Sequence, residues 1–170
     1  MNRVIVAKTL TRENFAEFGD VIDKGGDLHY PINGGKTERF HDLARVEAAG
    51  PNARVLINIF HATPYEFPLT LSMVERHPFG SQAFMPLSPA PFIVVVCHDS
   101  DEGPGIPHAF ITQPGQGVNY PRNLWHAVLT PIGEPQDFLV VDRGGDGGNL
   151  EECYFSHPFE IHLPKRVDHG

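Results

Sequence analysis

A chain of 170 residues, 41% hydrophobic and 20% charged, has the size and composition of one globular domain with a substantial core. A net charge of -8, with 13 Lys and Arg scattered among 21 Asp and Glu, excludes the clustered basic surface that nucleic acid requires, and no run approaches the roughly 20 apolar residues of a membrane helix. The opening segment MNRVIVAKTLTREN turns polar too early for a signal-peptide core, so the chain reads as cytoplasmic, with neither nucleic acid nor membrane as a partner.

Seventeen glycines and 16 prolines are spread along the whole length and cut it into short segments, the pattern of an all-β domain. Arg3–Ala7 is the first strand candidate. A helix follows over Thr11–Phe18, with Thr11 as N-cap, Phe15 and Phe18 on one face and Gly19 as the stop. The remaining strand candidates are Asp20–Asp23, Arg54–Phe60, Leu69–His77, Gln82–Met85, Phe92–Cys97, Ala109–Thr112, Gly117–Tyr120, His126–Leu129 and Phe138–Asp142. About ten short strands with little helix between them predict a sandwich or barrel, most naturally a jelly roll, as a single domain over residues 1–170. The end, His157–Gly170, carries Pro158 and Pro164 and reads as an irregular tail. Cys97 and Cys153 have neither metal nor redox spacing and read as inert thiols.

Chemistry concentrates in Leu69-Thr70-Leu71-Ser72-Met73-Val74-Glu75-Arg76-His77-Pro78. Strand alternation puts Leu69, Leu71, Met73, Glu75 and His77 on one face, so a carboxylate and an imidazole extend an apolar row. Burying such groups costs free energy unless they are hydrogen-bonded, paired or metal-bound, which points to function; the alternative is that the strand has reached solvent at the barrel rim by Glu75. Pro78 keeps His77 extended and Phe79-Gly80-Ser81 supplies a turn, so Gln82 returns beside His77. Further on, the turn Tyr120-Pro121-Arg122-Asn123-Leu124-Trp125 delivers His126.

These two segments resemble the cupin motifs. Glu75 stands where the first cupin histidine is expected, His77 matches the second, Gln82 replaces the glutamate, and Asn123 replaces the glycine before His126. The chain is also similar, over most of its length, to the bacterial ureidoglycolate lyase family. The features that carry this are Phe18-Gly19-Asp20-Val21-Ile22, Ile32-Asn33-Gly34-Gly35 with Glu38-Arg39-Phe40-His41-Asp42-Leu43, Glu75 through Phe84, Gly115 through His126, and Asp137 through Gly145. The resemblance implies a cupin β-barrel (a double-stranded β-helix with short peripheral helices), a homodimer, a place in allantoin and purine nitrogen breakdown, and nickel as cofactor. Manganese and iron are alternatives, since a His-Glu-Gln-His set of N and O donors suits an octahedral divalent ion; a metal-free enzyme is the other possibility.

Release of glyoxylate and urea from ureidoglycolate needs a base for the hydroxyl proton, an acid for the leaving nitrogen and an anchor for the carboxylate. His77 and His126 are the preferred acid-base groups, with Glu75 as a further base and Gln82 completing the set; the same four are the candidate metal ligands. Arg39 and Arg143 are candidate anchors because a guanidinium meets a carboxylate with two parallel hydrogen bonds. Asp142 precedes Arg143 on a strand, so only one of the two points inward. Asn33, in an Asn-Gly-Gly loop, and Tyr120 are further candidate substrate contacts. The rival readings are another metal-dependent cupin enzyme acting on a small carboxylate, and a non-catalytic cupin that binds a small acid.

Overall fold

The computed structural model describes residues 2–165. In chain order its strands are β1 (Val4–Val6), β2 (Lys8–Thr9), β3 (Asp20–Ile22), β4 (His29–Ile32), β5 (Thr37–Phe40), β6 (Arg54–Ala62), β7 (Leu69–Arg76), β8 (Gln82–Pro86) and β9 (Phe92–Cys97). They continue as β10 (Asp99–Ser100), β11 (Gly103–Pro104), β12 (His108–Ile111), β13 (Gly117–Tyr120), β14 (Trp125–His126), β15 (Thr130–Pro131), β16 (Gln136–Gly144) and β17 (Glu151–His162). Among the described residues the one α-helix, α1 (Arg12–Phe15), is shorter than expected. Its N-cap is Thr11, whose hydroxyl accepts from Asn14 N–H while the Asn14 side chain accepts from Thr11 N–H.

The first sheet runs β1-β17-β7-β14-β9-β12-β2, with β15 also on β9. Because β1 and β2 are separated in the chain by Ala7 alone, the two edges of this sheet meet and it closes into a barrel-like ring. A second sheet, β3-β13-β8-β16-β6, lies against it. The all-β barrel expected from the sequence is what the chain forms.

Strand β9 shows how the two layers share one core, since all six of its residues are buried. Ile93, Val95 and Cys97 point into the ring with Leu71, Val74, Trp125, Phe159 and Ile161. Phe92, Val94 and Val96 point the other way and meet Phe84, Val118, Phe138 and Val140 of the second sheet, with Phe15 and Phe18 closing one side. A strand covered on both faces reads as a continuous apolar run, which is why FIVVVC gives no alternation. Burial pushes the Cys97 thiol up to about 12, in keeping with an inert side chain, and both cysteines are free.

Three sequence expectations need correction. The tail is not irregular throughout: residues up to His162 belong to the 12-residue strand β17, while 166–170 lie outside the described residues. Pro158 is accommodated because the β17–β7 register shifts between Tyr154 and Phe159, and a bulge needs no N–H there. The segment His126–Leu129 contributes only His126 to a strand. Finally, Leu69, Leu71 and Glu75 do not share a face. Leu69, Leu71 and Val74 all pack into the ring, so the strand changes phase opposite the β17 bulge, and Glu75 points out of the ring toward the second sheet.

Candidate active site

Glu75 on β7 and His126 on β14 are direct cross-strand partners, so their side chains leave the first sheet on the same face. Their neighbours go the other way: Val74, Trp125 and Ala127 fill the ring, and Arg76 lies 4.3 Å over the Trp125 ring. The phase change in β7 is therefore what turns Glu75 away from the ring core and into the space between the sheets. His77 follows one residue past the strand end and its Nε2 stands 3.8 Å from Glu75 Oε1. One ligand atom each from Glu75, His77 and His126 falls within 4.8 Å of the others.

The turn before His126 is built by Asn123, whose φ of 65° lies in the left-handed region. Asparagine adopts that conformation at little cost, so it can stand in for the cupin glycine. Asn123 N–H donates to His77 O at 3.1 Å, which ties the two histidine segments together. Each imidazole is fixed by a backbone carbonyl: His77 Nδ1–H donates to Asn149 O at 2.8 Å, and His126 Nδ1–H to Ala127 O at 2.9 Å. In both rings Nε2 is then the nitrogen left free, and both Nε2 atoms are buried without a hydrogen-bond partner. Asn149 is a positioning residue that sequence reading missed, and its side-chain oxygen also accepts from Phe79 N–H.

The second sheet supplies the opposite wall. Tyr120 and Gln82 are register partners on β13 and β8. The Tyr120 ring stacks on His126 at 4.5 Å. Gln82 Nε2 approaches Asp142 Oδ2 of β16 at 3.5 Å, and Asn58 Nδ2 of β6 donates to Asp142 Oδ1 at 2.9 Å. Gln82 Oε1 is a further buried polar atom without a partner. Asn58 is the second residue missed, because only the β6–β16 register brings it to Asp142.

Burial sets the electrostatics. It holds His126 down to about 3, against the bond to Ala127 O and with help from the His77 charge. Burial thus favours the uncharged ring of His126, which suits an acceptor or ligand nitrogen at Nε2. Burial raises Glu75, opposed by His77 and assisted by Glu152. Burial also raises Asp142, against the Gln82 and Asn58 bonds and the His77 charge, and it raises Tyr120, so the phenol stays protonated.

The remaining sequence candidates lie elsewhere. Arg143 points away from Asp142 and is only 8% exposed. Its Nε donates to Ala49 O at 3.0 Å and its Nη2 to Pro51 O at 3.2 Å and Asp146 O at 2.8 Å. The guanidinium lies 5.1 Å from the Phe79 ring centre, and its Nε and Nη2 donors are spent inside the fold. Asn33 and Arg39 belong to the exposed β4–β5 hairpin, where Asn33 Nδ2 donates to Thr37 Oγ1 and Arg39 leans on Tyr30.

Two imidazoles whose Nε2 atoms have no hydrogen-bond partner, each oriented by a carbonyl on its other nitrogen, together with an adjacent carboxylate, fit a divalent metal. The family model described as ureidoglycolate lyase matches residues 2–162. The chain belongs to the ureidoglycolate lyase family. It is 76% identical to a ureidoglycolate lyase from Mesorhizobium japonicum, over 94% of this chain and 98% of that one. It is 64% identical to one from Chelativorans sp., over 96% and 99%, and 53% identical to ureidoglycolate lyase 2 from Rhizobium meliloti, over 91% and 94%. Among solved structures, a dTDP sugar isomerase from Desulfovibrio desulfuricans aligns with 74% of this chain and 79% of its own, at 15% identity and a TM-score of 0.43.

Proposed function

We propose that this chain is a ureidoglycolate lyase that releases glyoxylate and urea, working in the cytoplasm as a homodimer in allantoin breakdown, without nucleic acid or membrane partners. The observation that carries this is the convergence of Glu75, His77 and His126 in a chain that matches this family along nearly its whole length.

The reaction removes a proton from the hydroxyl of ureidoglycolate, forms the glyoxylate C=O, and breaks the C–N bond so that its electron pair goes to the ureido nitrogen, which takes up a proton. His77, His126 and Glu75 would hold the metal, with Gln82 Oε1 as a further oxygen donor. A bound divalent ion would supply Lewis acidity to the substrate oxygens; nickel, manganese and iron all suit these donors.

Asp142 is the best-placed proton acceptor for the hydroxyl. Its raised pKa brings it toward the working range, and two amide donors leave lone pairs free on the carboxylate. Tyr120, kept protonated by burial, is a donor suited to a substrate oxygen or to the departing nitrogen. His126 holds its place against Tyr120 and stays uncharged. The test is a coupled assay for glyoxylate from ureidoglycolate, run on metal-analysed protein with and without chelator. Glyoxylate formation that falls on chelation and returns on adding the ion supports both function and cofactor. Full activity in metal-free protein assigns the triad to direct acid-base and hydrogen-bonding roles, and no glyoxylate overturns the function.

A further inference from the structure

Among the described residues imidazoles meet in two places: His77 with His126 in the active centre, ring centres 5.2 Å apart, and His98 with His108, 5.5 Å apart and inclined at 79°. The second pair follows from the strand register. His98 comes one residue after β9, and His108 opens β12, where it lies opposite Val96. Alternation sends His98 to the same face as Val96, and a direct partner shares that face. Both rings therefore leave the first sheet on the side of Val96 and Phe110. Gly105 N–H donates to His98 O at 2.9 Å and holds the two strand ends together.

Val96 is also the partner of His126, so His126, Val96 and His108 form one cross-strand row. Two strand spacings of about 4.8 Å separate the histidines at its ends, with the buried Val96 between them. The second pair is thus a place of its own and not a rim of the active centre.

The chain after α1 supplies a carboxylate. Phe18 is buried, and its ring centre lies 4.5 Å from that of His98 and 5.0 Å from that of His108. Seating Phe18 brings its neighbour Glu17 beside the pair, with Glu17 Oε2 at 3.5 Å from His98 Nε2. Glu17, His98 and His108 are all exposed. Other histidines of this chain meet one carboxylate and no second imidazole, as His61 does with Asp137 at 2.7 Å and His162 with Glu160 at 3.1 Å.

A zinc ion about 2.0–2.1 Å from each ring nitrogen, at a tetrahedral angle, sets two imidazole centres roughly 5 Å apart, close to the spacing of this pair. The Glu17 side chain is 79% exposed, so a rotamer change is enough to bring its second partner, His108, within reach of the same ion. Burial, with the charges of His98 and Lys8 and against that of Glu17, lowers the pKa of His108 and favours the uncharged ring that a metal takes. Two imidazoles and one carboxylate select zinc, nickel or copper over magnesium and calcium, which take oxygen ligands. We propose that Glu17, His98 and His108 form a second, solvent-facing site for a divalent transition metal, which clips the turn after α1 to β9 and β12. Only the fold brings these three segments together, so an ion bound there stabilises the folded chain.

Zinc titration of tag-free, chelator-stripped protein tests it. Wild type takes up two equivalents, one in the Glu75–His77–His126 centre and one in the clip, and H98Q/H108Q takes up one. An E75Q/H77A variant isolates the clip: zinc raises its Tm, magnesium at the same concentration does not, and adding H98Q/H108Q abolishes the rise. E17Q in that background weakens zinc binding by at least the roughly 10-fold that loss of an outer partner costs. H98Q/H108Q that binds as much zinc as wild type overturns the site, as does a magnesium shift equal to that of zinc. Unchanged zinc affinity in E17Q overturns the three-residue clip. The proposed active-centre metal fails separately: a wild type that binds one equivalent, lost in H98Q/H108Q, upholds the clip and counts against an ion at Glu75, His77 and His126.

Discussion

Replacing Arg143 separates a structural from a catalytic arginine. The side chain is nearly buried and its guanidinium closes three backbone carbonyls, Ala49, Pro51 and Asp146, at 2.8–3.2 Å while facing Phe79. Its stem is also enclosed: a Cβ added at Gly80 would fall 2.4 Å from Arg143 Cβ. Each charge-assisted bond is worth about 1.5–3 kcal/mol, but three on one group are not additive and the carbonyls regain some water, so R143M loses about 3 kcal/mol. At roughly 2–4 °C per kcal/mol for a domain of this size, Tm falls by roughly 6–12 °C. R143K keeps the charge but not the planar fork, and recovers only part of the loss. The assays are thermal unfolding by circular dichroism and, well below Tm, kcat and KM for ureidoglycolate. The expected result is a large drop in Tm with KM changed less than about threefold. An unchanged Tm with KM raised 100-fold would refute the argument and restore Arg143 as the carboxylate anchor.

Two further outcomes follow from named contacts. Burial alone would raise Asp23, but hydrogen bonds from Gln116, Gly25 and Arg12 outweigh it and hold the carboxyl below its usual value of 3.8. A depressed folded pKa gives stability that is complete above the unfolded value and lost as pH falls through the lower folded one. D23N therefore lowers Tm at neutral pH and flattens its decline below about pH 4; a parallel downward shift at all pH values would contradict this. N58L preserves the β6–β16 pairing but removes the shorter of the two donors to Asp142, and kcat should fall about 10-fold with little change in KM. A KM effect alone would mean that Asn58 touches substrate instead of positioning Asp142.

Much of the architecture could be read from the chain because its glycines and prolines punctuate apolar runs at strand spacing, as at Phe92–Cys97 and Gly117–Tyr120, whose limits match the structure. The hairpin β4–β5 and strand β17 escaped notice for opposite reasons. The hairpin buries nothing in its own chain and so carries no apolar signature, and β17 contains a proline that only a bulge makes acceptable. The pairing of Glu75 with His77 was legible from the i, i+2 spacing, but not the face they occupy, because a phase change opposite a bulge leaves no trace in a period-two pattern. Asn58 and Asn149 were invisible for a related reason: what they hold is set by a partner strand or segment more than 70 residues away. Arg143 misled because a sequence shows a charge, not whether its donors are already taken.

The most direct measurement compares glyoxylate production from ureidoglycolate by wild type and by H126A, each shown to be folded by near-ultraviolet circular dichroism. His126 joins Glu75 across the β7–β14 pair and stacks on Tyr120, so its removal dismantles both walls of the site. Activity should fall at least ~100-fold. A folded H126A that turns over at close to the wild-type rate would contradict the placement of the active site between the two sheets.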